Sequence, residues 1–259
     1  MSVLASISKP TNRPIVATII GDAGLGKTSL AATFPKPIFI RAEDGMQSIP
    51  SDLRPDAFPR LMRVEDLWEQ LAALIKEDHQ YQTLVVDSIT SLEVMFAEHV
   101  LETDPKNPKG LQQAHGGYGA GRDMVASMHR RVRKAAEMLV ERGMNVVFVA
   151  HADTTRIEPP DAEPFTKYTM RLHEKSMQPY VDNVDLVGFL RLQTFVKGGD
   201  GERKMAISDG TRQLVCHATA SNVSKNRFGI TEPLEVKMGE NPLTDFLPKT
   251  TSKPVKEGK

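Results

Sequence analysis

An α/β fold with a mostly parallel central sheet, helices on both faces and antiparallel strands at one edge follows from three observations. Short apolar runs alternate with amphipathic helical segments through the first 150 residues. A glycine-rich octapeptide stands between the first apolar run and the first helix. From residue 185 onward, strand-like runs follow one another without helices between them.

Residues 15–20 (Ile-Val-Ala-Thr-Ile-Ile) are apolar and β-branched, the pattern of a buried strand. A helix opens at Thr28 and stops before Pro35, and residues 37–41 form a second strand beside prolines. Leu67, Leu71, Leu74 and Ile75 recur at helical spacing within residues 66–77. Residues 83–87 read as a buried strand ending in an acid, and residues 91–102 as a helix with Leu92, Met95, Phe96 and Val100 inward. A long Gly/Pro/Asn-rich loop is expected over 103–121, a long helix over 122–142 and a wholly apolar strand over 145–150. Residues 151–169 read as irregular and Pro-rich. A strand over 185–193, a hairpin over 195–208 around Lys197-Gly198-Gly199-Asp200-Gly201, and a further strand over 212–218 complete the pattern. The expected organisation is an arm (1–13), one core (14–240) and a flexible C-terminal tail (241–259).

Composition narrows the function classes. The chain has 259 residues, 40 % hydrophobic, with 33 Lys+Arg against 33 Asp+Glu and hence no net charge. Any nucleic-acid site must therefore be a local patch. Cys216 is the only cysteine, which excludes a disulfide within the chain and suits a reducing cytoplasm; its apolar surroundings read as core. No apolar run reaches the roughly 18 residues that span a bilayer, and residues 1–14 lack the apolar core of a signal peptide.

The octapeptide Gly21-Asp22-Ala23-Gly24-Leu25-Gly26-Lys27-Thr28, followed by Ser29, fits G-x-x-x-x-G-K-[ST], a phosphate-binding loop for a nucleoside triphosphate such as ATP. Its glycines let backbone amides close around phosphate oxygens. Lys27 adds charge near the β/γ-phosphates, and the Thr28 hydroxyl suits Mg²⁺. Strand, glycine loop and helix is the setting this motif requires. Ligands of such sheets bind at the carboxyl ends of the strands, which directs attention to the residues there. Asp87 suits a hydrated Mg²⁺, with a helix N-cap as the alternative. Glu43 is a candidate for activating water at the γ-phosphate, with Asp44 competing for the role. His151 suits a sensor of the γ-phosphate, the alternative being a structural histidine. Lys225 and Arg227, two residues apart, suit a cationic finger on a neighbouring subunit's nucleotide, or else a solvated charge run.

Together these segments resemble the RecA/RadA recombinase core. Phe39-Ile40-Arg41-Ala42-Glu43 is similar to the segment whose glutamate activates water, and Leu84-Val85-Val86-Asp87-Ser88 has the family's Asp-Ser ending. His151 stands where those proteins place a γ-phosphate-sensing Gln, and Lys225-Asn226-Arg227-Phe228-Gly229 is the pentapeptide typical of RadA. The matches occur in family order over residues 14–236. Gly116-Gly117-Tyr118-Gly119 before a helix, and His in place of Gln, resemble most the core-only phage ATPases of the Sak single-strand annealing type. That resemblance implies an ATP- and Mg²⁺-dependent ATPase, phage-encoded and acting in a bacterial cytoplasm. It would bind single-stranded DNA and promote annealing or homologous recombination, with DNA-stimulated hydrolysis. It implies a homo-oligomer, ring or short filament, and allows a single-strand-binding protein as a further partner; no membrane is expected. About a dozen residues precede the first strand, where RecA has a long oligomerisation helix, and RecA's C-terminal domain has no counterpart. Long stable filaments are therefore not expected.

The resemblance also places DNA contacts in the two loops over 103–121 and 152–169. Lys109, Tyr118 and Arg122 in the first, and Thr154 and Arg156 in the second, are the candidates: cations for phosphates, Tyr118 for stacking on a base. Arg130, Arg131, Arg133 and Lys134 between them read as a solvated helix face. A hexameric helicase motor shares this core and remains an alternative. So does a nucleotide-gated regulatory module that binds protein rather than DNA.

Overall fold

The computed structural model describes residues 4, 7–9, 12–197 and 205–248. The chain runs β1 (Val16–Gly21), α1 (Lys27–Ala31), β2 (Pro37–Arg41), β3 (Asp56–Ala57), α2 (Val64–Lys76), β4 (Thr83–Asp87), α3 (Ile89–Glu102) and α4 (Ala120–Glu141). It continues β5 (Asn145–Ile157), β6 (Phe165–Met170), α5 (Glu174–Met177), β7 (Leu186–Lys197), β8 (Met205–Val215), β9 (Lys225–Asn226) and β10 (Leu234–Glu235). The strands lie side by side as β10-β8-β7-β1-β5-β4-β2-β3. Every pair from β7 to β3 is parallel. β8 and β10 add antiparallel strands beyond β7, as expected for one edge.

Parallel strands must be covered on both faces, and their residues are mostly apolar for that reason. Alternation sorts the side chains into two layers. Val16 and Ile20 of β1, Leu84 and Val86 of β4, and Val146 and Phe148 of β5 meet Leu67, Phe96, Val132 and Leu139 of α2, α3 and α4. Ala17, Ile19, Val85, Val147 and Val149 face the other way, onto Leu30, Phe34, Ile230, Val236 and Leu243. Burying each of the larger side chains stabilises the fold by about 1.5–3 kcal/mol. The start of β1 is fixed by side chains: Asn145 Oδ1 accepts the Ile15 amide (3.0 Å) and Asp185 Oδ2 the Val16 amide (3.0 Å).

Four expectations are corrected. Residues 151–169 are a β-hairpin, with Ala152–Ile157 paired antiparallel to Phe165–Met170. Thr154, Thr155 and Ile157 have the β-branched shape strands favour, and Pro159, Pro160 and Pro164 fall in the turn, outside both paired arms. Residues 212–215 are not a separate strand but the end of β8, continuous with the returning arm of the β7–β8 hairpin. The Gly198-Gly199-Asp200-Gly201 tip lies outside the described residues. Residues 241–248 are packed rather than flexible, because Leu243 is fully buried and Phe246 and Leu247 lie against the same core layer. The rest of the expected tail, 249–259, lies outside the described residues. The cationic face of α4 is only partly solvated: Arg133 is buried, and the Arg131 guanidinium sits 4.0 Å from the centroid of Trp68. Cys216 is core as expected, and burial pushes its thiol up to about 12.

The segment after β8 is stapled by Asn226. Its Nδ2 donates to the carbonyls of Cys216 and Ile230 (2.9 Å each), and its Oδ1 accepts the amides of Phe228 (3.1 Å) and Ile230 (2.9 Å). Asn226→Ala strands these groups and should destabilise the protein by about 2–4 kcal/mol, read from urea unfolding. A loss within error of zero would show that water replaces the staple.

Candidate nucleotide site

β1 ends at Gly21, and the chain then turns through residues 22–26 into α1. Gly24 (φ +77°) and Gly26 (φ +88°) adopt left-handed backbone that favours glycine. At Gly26 a Cβ would also stand 2.5 Å from Arg212 Nη1. Lys27 is buried and its Nζ donates to the Asp22 carbonyl (2.8 Å). Burial lowers its pKa, opposed by the carboxylates of Glu43, Asp87 and Asp22.

Parallel pairing places the other strand ends alongside. Gly21 is level with His151, and Asp87 lies between Arg41 and Val149. Thr28 Oγ1 donates to Asp87 Oδ2 (2.8 Å). Asp87 is 1 % exposed, and its Oδ1 is buried with no hydrogen-bond partner. Burial raises its pKa to about 6, opposed by the Thr28 hydrogen bond and reinforced by the Glu43 charge. The N-cap alternative is taken by the neighbouring residue: Ser88 Oγ accepts the Ser91 amide (3.2 Å) at the start of α3. Over this pair lies Gly45, where a Cβ would come within 3.1 Å of Thr28 Oγ1 and 3.4 Å of Asp87 Oδ2. A buried carboxylate oxygen lacking a partner, a hydroxyl beside it and a residue without a side chain above them fit a Mg²⁺ ion. Among the described residues no group of three His, Cys, Asp or Glu is placed to hold a metal. Thr28 and Asp87 would supply only some of the ligands such an ion takes, with water and phosphate oxygens supplying the rest.

Glu43 is carried into the site by Asp87 itself, whose carbonyl accepts the amides of Ala42 (2.8 Å) and Glu43 (3.2 Å). His151 Nε2 lies 3.2 Å from both Glu43 carboxylate oxygens, and Ser91 Oγ donates to Oε2 (2.8 Å). Burial acts to raise the Glu43 pKa, but the hydrogen bonds from His151 and Ser91 prevail and bring it to about 2. Asp44, the competing acid, turns instead toward Arg41 (3.8 Å). The His151 amide donates to Thr90 Oγ1 (2.9 Å) and its carbonyl accepts the Arg171 amide (2.8 Å), so His151 joins the site to the hairpin.

The loop, Lys27, Thr28, Asp87, Glu43 and His151 thus converge. Lys225 and Arg227 do not. Lys225 and Asn226 pair with Val187 and Leu186, which lie beside Thr18 and Ala17, toward the start of β1. Lys225 Nζ donates to the carbonyls of Val181 (3.0 Å) and Asp182 (2.7 Å), and Arg227 pairs with Asp185 (3.1 Å). Neither touches the phosphate loop of its own chain.

Of the DNA candidates, Lys109 is exposed, Arg122 is half-buried in the first turn of α4, and Tyr118 projects fully into solvent between positive-φ glycines. Thr154 and Arg156 are exposed on the hairpin, where Arg156 pairs with Glu158 (2.9 Å). Lys175 of α5 bonds Asp123 of α4 (2.6 Å), tying the helix that follows the hairpin to the start of the helix that follows the loop.

Three participants were not legible in the sequence: Gly45, Ser91 and Arg212. Arg212 comes from the antiparallel edge, and its Nη1 lies 3.5 Å from the Leu25 carbonyl. A cation against the phosphate loop should add to nucleotide affinity. Arg212→Ala is expected to raise the ADP Kd about tenfold, measured by titration calorimetry; an unchanged Kd would leave Arg212 as a prop for the loop.

A profile described as an AAA domain matches residues 13–228. The chain is also similar to the SPbeta prophage-derived uncharacterized protein YorG of Bacillus subtilis (strain 168), at 25 % identity over 192 residues. These cover 73 % of this chain and 53 % of that protein, so the chain spans about half the length of the curated relative it matches. Among the described residues no helix is long and apolar enough to cross a membrane.

Proposed function

This chain belongs to the AAA domain family of P-loop ATPases, and on that premise we propose that it is an ATP- and Mg²⁺-dependent ATPase of the Sak annealing type. In this reading it binds single-stranded DNA and promotes its annealing or recombination. The observation that carries the proposal is the Glu43–His151 contact, made where β5 passes from the nucleotide site into the exposed hairpin.

Lys27 and the loop amides hold the triphosphate, and Thr28 and Asp87 would hold Mg²⁺, which neutralises charge on the β- and γ-oxygens. Glu43 orients water and takes its proton. Without nucleotide, His151 and Ser91 hold Glu43 as a weak base. A γ-phosphate that draws His151 toward itself removes one of these hydrogen bonds, and Glu43 becomes more basic when its substrate is present. The same displacement pulls on the Arg171 amide and on Ala152, at the root of the hairpin. ATP then sets the hairpin and the Tyr118 loop for DNA, with Lys109, Arg122 and Arg156 for phosphates and Tyr118 for a base.

In an oligomer, Lys225 and Arg227 would reach a neighbour's nucleotide only by leaving the carbonyls and carboxylate they now hold. Turnover should then rise more steeply than linearly with protein concentration.

The deciding experiment is fluorescence anisotropy of a labelled single strand with ATP, a non-hydrolysable analogue, ADP or no nucleotide, across a salt series. Tight binding with the triphosphate that weakens with salt is expected. Absence of binding in every state would sink the DNA reading and favour a switch that binds protein.

A further inference from the structure

A cleft of about 300 Å³ lies between α4 and residues 178–183. Asn183 on its wall leads into β7, whose first residue is level with Ala17, whereas the phosphate loop leaves at Gly21. Four strand residues separate those levels, about 13 Å. The cleft is thus apart from the nucleotide site. Arg130, Arg133, Lys134 and Lys175 line it, against Glu137 and Asp182. Lys175 is engaged by Asp123, while Arg130 and Lys134 stand exposed and, among the described residues, form no salt bridge.

Arg133 is the unusual member. The residue is 8 % exposed. Its Nη2 donates to the Asn183 carbonyl. Its Nε and Nη1 are buried without a hydrogen-bond partner, and the nearest anion is Glu137 Oε1, 3.4 Å from Nη1. A buried guanidinium with unused donors is costly unless something completes it. Burial lowers the Arg133 pKa, the direction expected for an under-compensated charge.

We propose that this cleft is an oxyanion site for a phosphate group, in which Arg133 supplies the buried donors and Arg130 and Lys134 the outer charge. A phosphate that displaces the Glu137 carboxylate takes its place against Nη1. Among the described residues no aromatic side chain lines the cleft, so it offers a base nothing to stack on and reads the phosphate alone. The volume admits a phosphate together with the groups it esterifies. A nucleic-acid backbone and free phosphate present the same chemistry, and experiment separates them.

The test uses the full chain saturated with ADP and Mg²⁺, so that the Gly21–Thr28 loop is filled. Inorganic phosphate is titrated by calorimetry, and a short oligothymidylate without terminal phosphates by anisotropy. Phosphate should bind, more weakly by about tenfold in Arg130→Ala/Lys134→Ala, whose exposed side chains can be removed without disturbing the core. Glu137→Gln, which removes the internal competitor, should tighten it severalfold. If the oligothymidylate responds to the same variants, the source is a phosphodiester backbone; if only inorganic phosphate does, it is a free or monoester phosphate. The proposal is overturned if neither ligand binds the ADP-saturated protein, or if the variants leave binding unchanged. It stands independently of the DNA reading, because binding that depends on ATP at the hairpin fails or succeeds without reference to this cleft.

Discussion

Glu43→Gln should lower ATP turnover by about 10²–10⁴-fold, the span associated with losing a positioned general base. ATP binding should change little. Glutamine keeps the shape, and its oxygen can still accept from Ser91, now 2.8 Å from Oε2, but it cannot take a proton from water. Lys27, Thr28 and Asp87, which would hold the triphosphate and its ion, do not depend on that carboxylate for their placement: the amides of residues 42 and 43 bond the Asp87 carbonyl whatever the side chain. A second readout identifies the carboxylate without turnover. In the folded protein its pKa lies at about 2, below the ordinary 4.5. A depressed carboxylate contributes stability that is present above pH 4.5 and lost as the pH falls through about 2. The nucleotide-free wild type should therefore lose stability relative to Glu43→Gln as the pH drops across that window, and the difference should level off above it. Turnover within threefold of wild type would remove Glu43 from the chemistry; a pH-independent stability difference would remove its clamp.

What was legible in the sequence follows from where each constraint arises. The phosphate loop could be read directly because its ligand imposes the residue types: Gly24 and Gly26 sit at positive φ, and Lys27 and Thr28 carry fixed chemistry at fixed spacing. The buried parallel strands were legible because both their faces are covered, which leaves no polar alternation to confuse the pattern. The hairpin over 151–169 was missed because most of its residues stay in water on both faces, so periodicity had no apolar side to report. Ser91, Gly45 and Arg212 were illegible for another reason. Each enters the site through tertiary placement: Ser91 in the first turn of α3, Gly45 after β2, and Arg212 from the antiparallel strand β8, more than 180 residues beyond the loop it touches. The Lys225–Gly229 segment shows the converse. Its resemblance drew attention to the two cations, yet within the chain Asn226 is the residue making four hydrogen bonds.

Asp87→Asn should do two opposite things. A carboxyl whose folded pKa is raised holds its proton more tightly in the native state. Stability is therefore highest when the group is protonated, falls as the pH rises from about 3.8 toward about 6, and is flat beyond. Above that window the wild-type protein carries a buried anion, with one oxygen bonded by Thr28 and the other unpaired. The difference between about 6 and 3.8 corresponds to a penalty on the order of 3 kcal/mol. Asparagine removes the charge while its carbonyl can still accept from Thr28, so the nucleotide-free variant should be more stable than wild type at pH 7.5 and should lose that advantage near pH 4. Nucleotide reverses the order. The wild type should gain stability from Mg²⁺ in the presence of ADP, because the unpaired oxygen then has a cation to act upon, while the variant should gain little. Thermal unfolding of both proteins at pH 7.5, without nucleotide and with ADP in the presence or absence of Mg²⁺, measures both effects. An equal response to Mg²⁺ in the two proteins would mean that the ion does not depend on Asp87. A variant less stable than wild type without nucleotide would mean that the carboxylate is better compensated than its unpaired oxygen indicates. The opposed signs matter because a merely structural aspartate would lower stability in both conditions. Only a carboxylate held at a cost in the empty site, and relieved by its ligand, makes the empty protein more stable when it is removed and the loaded one less so.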